Sequence, residues 1–357
     1  MTADVTVPHR SPTLAGASIR DDRRRLLRTT ETRMRDFLAA ERTKWRRIDP
    51  RACVPVDAVS DLLAAGGKRI RPTFCISGYL AAGGLPEDES VVSAAVALEL
   101  LHACALIHDD VMDDSTQRRG RPTVHTKYSA GHRDFRWKGE ARRFGESVAI
   151  LAGDLALVYS DKFMAEAPPS VTAVWTELRT ELIIGQYMDI GSAAETSTDP
   201  ELARWIAVAK SGRYTILRPL VIGAVIAGQP ELVETFTEYG TALGEAFQLR
   251  DDVLDAFENG QAAGKPAGLD FEQHKMSLLM TSAMSRHPEI ADYVLWDEPD
   301  SVELRGMLDR FGVRAEAEEH IDILVERSCR AINGAPLRGE WRDELVLMAH
   351  QVAYRDR

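Results

Sequence analysis

The sequence is poor in aromatic residues, at 7%, and it lacks paired cysteines. Cys53, Cys75, Cys104 and Cys329 are scattered, with no CxxC spacing. That pattern argues against a disulfide scaffold or a structural zinc site and fits a reducing cytosol. Basic charge is also in deficit. Against 55 acidic side chains stand 44 basic ones, a formal charge of -11 with a pI near 5.4. Bulk charge therefore offers no means of holding a nucleic-acid backbone. Any phosphate must be met by local basic groups or by metal ions. No apolar stretch stands where a signal peptide would have one. The apolar segment Val148 to Met164 is broken by Gly153, Asp154 and Asp161, so it does not read as a membrane span. Glycine (25) and proline (16) lie near ordinary usage, which excludes collagen-like and low-complexity chains. These absences predict a cytoplasmic protein with no membrane span and no nucleic-acid partner.

What the chain does have is helical signal. Ser90 to Ile107 is an apolar run rich in Ala and Leu and too long for a strand. Similar runs occupy 147–164, 171–190, 201–227, 231–257 and 318–333. No sustained period-two alternation bounded by hairpin turns is found. Turn residues such as Gly66-Gly67, Gly83-Gly84, Pro168-Pro169 and Asp199-Pro200 separate the runs. The expected fold is all-α, with many helices of about 15–25 residues. Residues 1–25 read as a flexible leader, and RDDRRRLLR (Arg20 to Arg28) as a solvated helix start. The length of 357 residues would on average make two domains.

Two segments resemble each other: IHDDVMD (Ile107 to Asp113) and LRDDVLD (Leu249 to Asp255). In a helix, residues four apart share a face, about 6 Å apart along the axis. Asp109 and Asp113 form one such pair, Asp251 and Asp255 the other. Like charges at that spacing repel and call for a counter-cation. One or two carboxylates per ion, completed by water and substrate phosphate, is the usual environment of Mg²⁺. A single motif would read as a solvated helix face. Two copies, each following a long apolar run, favour a metal site.

Cations stand at separate places along the chain. Lys68, Arg69 and Arg71 follow Gly66-Gly67, with Pro72 placed for the first position of a helix, a natural anion site. The spacing is not that of a Walker loop. Arg118, Arg119 and Arg121 follow the first acid motif, and His102 lies two turns before Asp109 on its face. Lys210-Ser211-Gly212 and Gly264-Lys265-Pro266 flank the second, and Gln248 shares the face of Asp251. Gly185-Gln186-Tyr187-Met188-Asp189 adds an amide and a carboxylate at i, i+3. Two carboxylate clamps and several cationic spots describe a site for two diphosphates, one bridged by metals and one held directly.

As a set, GGKRIRP, HACALIHDDVMD, RRGRPTVH, GQYMD, KSGRYT, FQLRDDVLD and GKPAG resemble, in order, the motifs of the trans-isoprenyl diphosphate synthases, and are most similar to geranylgeranyl diphosphate synthases. They span residues 60 to 280. The resemblance implies a single bundle of mostly antiparallel helices around a deep cavity, the isoprenoid synthase fold, over 26–357, usually as a homodimer. Since both motifs must converge on one cavity, one large domain replaces two. The resemblance further implies head-to-tail condensation of isopentenyl diphosphate with an allylic diphosphate (dimethylallyl, geranyl or farnesyl), with about three Mg²⁺ ions per site. It places metal ligation on Asp109, Asp110, Asp113, Asp251, Asp252 and Asp255. It places the allylic diphosphate on Arg118, Lys210, Ser211, Gln248 and Lys265, and isopentenyl diphosphate on Lys68, Arg71, His102 and Arg119.

Cys104 and Ala105 are small where short-chain members often carry an aromatic floor, so the growing tail can pass toward Leu101. A C20 product, geranylgeranyl diphosphate, is expected, with C25 or longer as the alternative. The pattern departs from the family after the second motif, where GKPAGLDFEQHKMS carries Phe271 for a usual Leu and His274 for a usual Gly, though Lys275 is kept. A class I terpene cyclase would lack the GGKRIRP and RRG pair. A non-catalytic partner subunit would be expected to have lost one Asp motif. A carboxylate-type metal bundle needs Glu-x-x-His pairs, which neither motif supplies.

Overall fold

The computed structural model describes residues 12–257, 275–296 and 300–355. Ten helices lead through its first part: α1 (Pro12–Arg46), α2 (Val54–Ala64), α3 (Ile70–Ala81), α4 (Ser90–Met112), α5 (Val124–Asp134), α6 (Ala141–Met164), α7 (Thr172–Glu195), α8 (Pro200–Ile206), α9 (Arg218–Ile226) and α10 (Val233–Phe257). Shorter helices follow at Leu278–Arg286, Pro288–Trp296 and Ser301–Arg310. Two longer ones, Val313–Asn333 and Gly339–Ala353, close the bundle. The all-α expectation holds, and the apolar runs read from sequence all fall on helices.

Position in the bundle follows from how much of each helix is apolar. From Val91 to Leu101, α4 is buried on every side, because no polar stripe interrupts it, and such a helix must lie at the centre. By length and composition alone α4 could cross a membrane, but most of it is buried inside the protein. It packs chiefly against α6 and α3. The second central helix, α10, packs against Val313–Asn333 and against a π-helical stretch, Ala207–Leu217, that joins α8 to α9. Contact there is backbone to backbone. A Cβ on Gly212 would lie 2.7 Å from the Gly244 carbonyl carbon, and one on Gly244 2.5 Å from the Gly212 Cα. The glycine of KSG thus lets the stretch carrying Lys210 lie directly on the helix carrying Asp251.

Three local expectations change. The segment assigned to a flexible leader is helical from Pro12 onward. Ile19 and Leu26 are buried, and Arg20 and Arg23 each reach the buried carboxylate of Glu344 at 2.6 Å. Pro72 is the third residue of α3, not the first; the position suits it because the first helical N–H groups have no partner within the helix. Residues 117–122 form a small antiparallel hairpin, with Gln117 opposite Pro122 and Arg118 opposite Arg121. Its turn residues Arg119 (φ 54) and Gly120 (φ 70) are both left-handed, as a type I′ turn requires.

Candidate active site

The first acid motif sits at the C-terminal end of α4. Asp109 and Asp110 close the helix and Asp113 caps it. Asp110 is buried, 2% exposed, and accepts from Arg118 Nε at 2.8 Å. Arg118 Nη2 also lies 3.4 Å from Asp109. The expectation counted Asp110 among the ion ligands. The structure buries it against Arg118, while Asp109 and Asp113 remain partly exposed. Lys210 Nζ bridges Asp189 at 2.7 Å and Asp109 at 3.5 Å. Burial pulls the Lys210 ammonium down, but Asp109 and Asp189 outweigh it, so its pKa is raised. Lys275, the cation retained in the divergent segment, meets Asp113 at 2.7 Å.

The second motif ends α10. Asp252 is 4% exposed and accepts from Gln248 Nε2 at 2.8 Å and from the Leu279 backbone N–H at 3.2 Å. It anchors the helix Leu278–Arg286, and both of its oxygens accept within the protein. Asp251 is half exposed and pairs with Arg355, whose guanidinium lies 4.0 Å from the Phe247 ring centre. Asp255 follows one turn later on α10. Lys265, Phe271 and His274 lie outside the described residues.

Asp251 of the second motif lines a cavity of about 380 Å³, together with Lys68, Arg71, His102, Arg118, Arg119, Ser211 and Gln248; the first motif reaches that wall through Arg118, which contacts Asp109 and Asp110. Its cationic end comes from three elements: the Gly66-to-Arg71 loop, α4 and the 117–122 hairpin. Gly66 (φ 89) and Arg69 (φ 50) turn the loop; for a residue with a Cβ that conformation costs about 1 kcal/mol. The Arg119 guanidinium lies against Gly67, 3.2 Å from where a Cβ would stand, and donates to the Gly66 carbonyl. Arg71 stacks on Tyr214 at 4.1 Å. Among the described residues, Arg71 Nε, His102 Nδ1 and Thr215 Oγ1 are buried without a hydrogen-bond partner. Buried polar atoms left unpaired are costly, and here they stand among the cationic side chains of Arg71, Arg118 and Arg119 on the cavity wall. The electrostatics agree. Burial, then Arg71, Arg119, Arg118 and Arg69, hold His102 well below its ordinary pKa, hence neutral. Burial, then Arg118, lowers Arg119 despite Glu99.

Leu101 and Cys104 are buried and Ala105 is partly exposed on α4. Cys104 Sγ is 3.8 Å from His108 Nδ1, and burial, aided by Asp154, pushes its thiol up to about 12. It is a small, neutral, buried residue.

Among the described residues, no three acidic, histidine or cysteine side chains gather closely enough to enclose an ion. Asp109 and Asp113 at the end of α4 and Asp251 near the end of α10 are hard oxygen donors on two helices. That donor set fits Mg²⁺, which is held by one or two carboxylates and completed by phosphate and water. Sequence reading missed Glu99, Thr215, Phe247 and Arg355 as site residues; Phe247 stood next to Gln248 in a motif already singled out.

Residues 55–301 match the family model described as polyprenyl synthetase. A short chain isoprenyl diphosphate synthase of Methanothermobacter thermautotrophicus is 32% identical over 289 residues, covering 76% of this chain and 82% of its own length. A geranylgeranyl diphosphate synthase of Cyanophora paradoxa is 35% identical over 61% of this chain and 71% of its own. Among solved structures, a geranylgeranyl pyrophosphate synthase of Corynebacterium glutamicum, complexed with isoprenyl diphosphate and magnesium, superposes with a TM-score of 0.86. It is 34% identical and covers 93% of this chain and 99% of its own.

Proposed function

The chain belongs to the polyprenyl synthetase family, and from that premise we propose that this trans-prenyltransferase condenses isopentenyl diphosphate with an allylic diphosphate to give geranylgeranyl diphosphate. The observation that carries the reading is one cavity whose wall holds Lys68, Arg71 and Arg119 beside Asp251 of the second clamp, with Arg118 linking that wall to Asp109 of the first. One diphosphate is to be held without metal and one with it, and that asymmetry is what a two-diphosphate condensation needs.

The enzyme uses a divalent metal, and we assign Mg²⁺ to Asp109, Asp113 and Asp251, with Asp255 close by. When bound, it supplies positive charge against the oxygens of the allylic diphosphate. Lys210 and Arg118, fixed by Asp109, Asp110 and Asp189, present further positive charge to the leaving group, where charge develops as the C–O bond breaks. Ser211 and Gln248 line the same wall. Arg71, His102, Arg119 and Lys68 orient the acceptor diphosphate, so that its double bond lies alongside the allylic carbon. The proton released afterwards can pass to the departed diphosphate, so no protein base is required.

The C20 product is supported by the small side chains of Cys104 and Ala105, about one turn before Asp109 on α4, and by the names of the Cyanophora and Corynebacterium relatives. A homodimer is supported by an apolar surface on α6 and α7, where Leu151, Val158, Ile183 and Tyr187 are each at least 60% exposed. Purified protein supplied with isopentenyl diphosphate, dimethylallyl diphosphate and Mg²⁺ is expected to release a C20 diphosphate, read by chromatography of the dephosphorylated alcohol. No product from any allylic primer would overturn the reading, and a chain of C25 or longer would overturn the product assignment.

A further inference from the structure

The anion pocket contains one feature that should defeat it. Glu99, three residues before His102 on α4, is 4% exposed and stands on the wall of the cavity beside Arg71, His102 and Arg119. Its charge reaches Arg119. A buried carboxylate left to itself would pair with the nearest arginine and neutralise the site built to receive an anion. It does not, because Arg69 takes it first, Nη1 to Oε1 at 2.6 Å. The same guanidinium donates to Glu31 on α1 at 3.1 Å and to the Leu63 carbonyl of α2 at 3.1 Å. All of this is done from a left-handed backbone, φ 50, on the same cavity wall that Arg71 lines. Burial opposes the Arg69 charge, but Glu99 and Glu31 outweigh it and raise its pKa.

We propose that Arg69 is a positioning residue for the acceptor diphosphate: by holding Glu99, it keeps the pocket's own acid from occupying Arg71 and Arg119. The three cations of GGKRIRP therefore have different tasks. Lys68 and Arg71 face the anion, and Arg69 guards them. This rests on the reading of the pocket as the isopentenyl diphosphate site.

The test is a steady-state comparison of Arg69→Gln, Glu99→Gln and the double variant, with KM measured for each substrate in turn. Arg69→Gln is expected to raise KM for isopentenyl diphosphate by roughly tenfold or more, with kcat and the allylic KM changed far less, since a freed buried charge acts on the pocket it faces. Removing the acid as well should return the acceptor KM to within about threefold of wild type. Glu99→Gln alone should leave it equal or lower. A merely structural pair predicts the reverse, with the double variant no better than Arg69→Gln and Glu99→Gln itself impaired; either result overturns the inference. So does an acceptor KM for Arg69→Gln within about twofold of wild type. If Arg69→Gln fails to fold, the Glu99→Gln measurement decides alone. Arg71→Ala serves as the control on the underlying reading: if it too leaves the acceptor KM unchanged, the pocket assignment fails, not the role of Arg69.

Discussion

Replacing Arg355 with Ala should strengthen Mg²⁺ binding while weakening the fold, two effects of opposite sign from one side chain. Arg355 pairs with Asp251, the carboxylate assigned to the second metal clamp, and any ion bound there competes with it. The arginine side chain is 10% exposed and the aspartate 46%, so the pair is partly solvated and contributes about 1 kcal/mol. Removing that competitor should lower the half-saturating Mg²⁺ concentration by about fivefold. The same substitution loses the contact with the Phe247 ring at 4.0 Å, worth about 0.5–1 kcal/mol, and the hydrogen bond to the Val352 carbonyl at 2.7 Å, worth about 1 kcal/mol. The Tm should therefore fall by a few degrees, on the order of 2–4 °C. Calorimetric titration of Mg²⁺ in the presence of inorganic pyrophosphate reads the first effect without turnover, and a thermal melt reads the second. An unchanged or raised half-saturation would refute the competition and make Arg355 a helper of diphosphate binding instead.

Gly212→Ala should destabilise the protein by about 1–3 kcal/mol through overpacking against Gly244 and cost activity by moving Lys210; an unchanged denaturation midpoint would show that the helices can part. His102 is neutral in the folded protein because burial and the surrounding arginines hold its pKa well below 6.5. The unfolded chain takes up a proton there as pH falls through 6.5, so stability is lost on the acid side. The Tm difference between wild type and His102→Gln should accordingly shrink from about pH 7.5 to about 5.5, and a constant difference would contradict the assignment. Cys104→Phe should shorten the product; the same chain length from the variant would remove Cys104 from the tail's path.

The acid motifs and most of the cations were readable because their chemistry is carried by local spacing. Asp109 and Asp113 are one helical turn apart whatever the tertiary structure does. The placing of Arg71 and Arg118 on one cavity followed only from the family resemblance, and both line it; Lys210 joins them through Asp109. What could not be read is pairing across the fold. Nothing near Arg20 in sequence announces Glu344, and nothing near Asp251 announces Arg355. The division of labour between Asp109 and Asp110 was hidden for a different reason. A helix puts adjacent carboxylates about 100° apart, so one faces the cleft and the other the core, but which is which depends on the helix's rotation in the bundle. The 117–122 hairpin escaped because two residues per strand make no alternation.

Glu344 also fixes the order in which the molecule can be finished during synthesis. Arg20 leaves the ribosome 324 positions before its partner, and Arg23 waits nearly as long. The helix carrying the second acid motif is in the same situation. Arg250 is bonded to the Ala353 carbonyl and to Glu318, and the Tyr239 hydroxyl to the Leu345 carbonyl. Closing such long loops is entropically slow, and here they close upon the very helix that must present Asp251. The growing chain can build α4 and its apolar surroundings early. It acquires a working cleft only when its last helix arrives, so a nascent or prematurely stopped chain has one acid motif in place and no anchored partner for it.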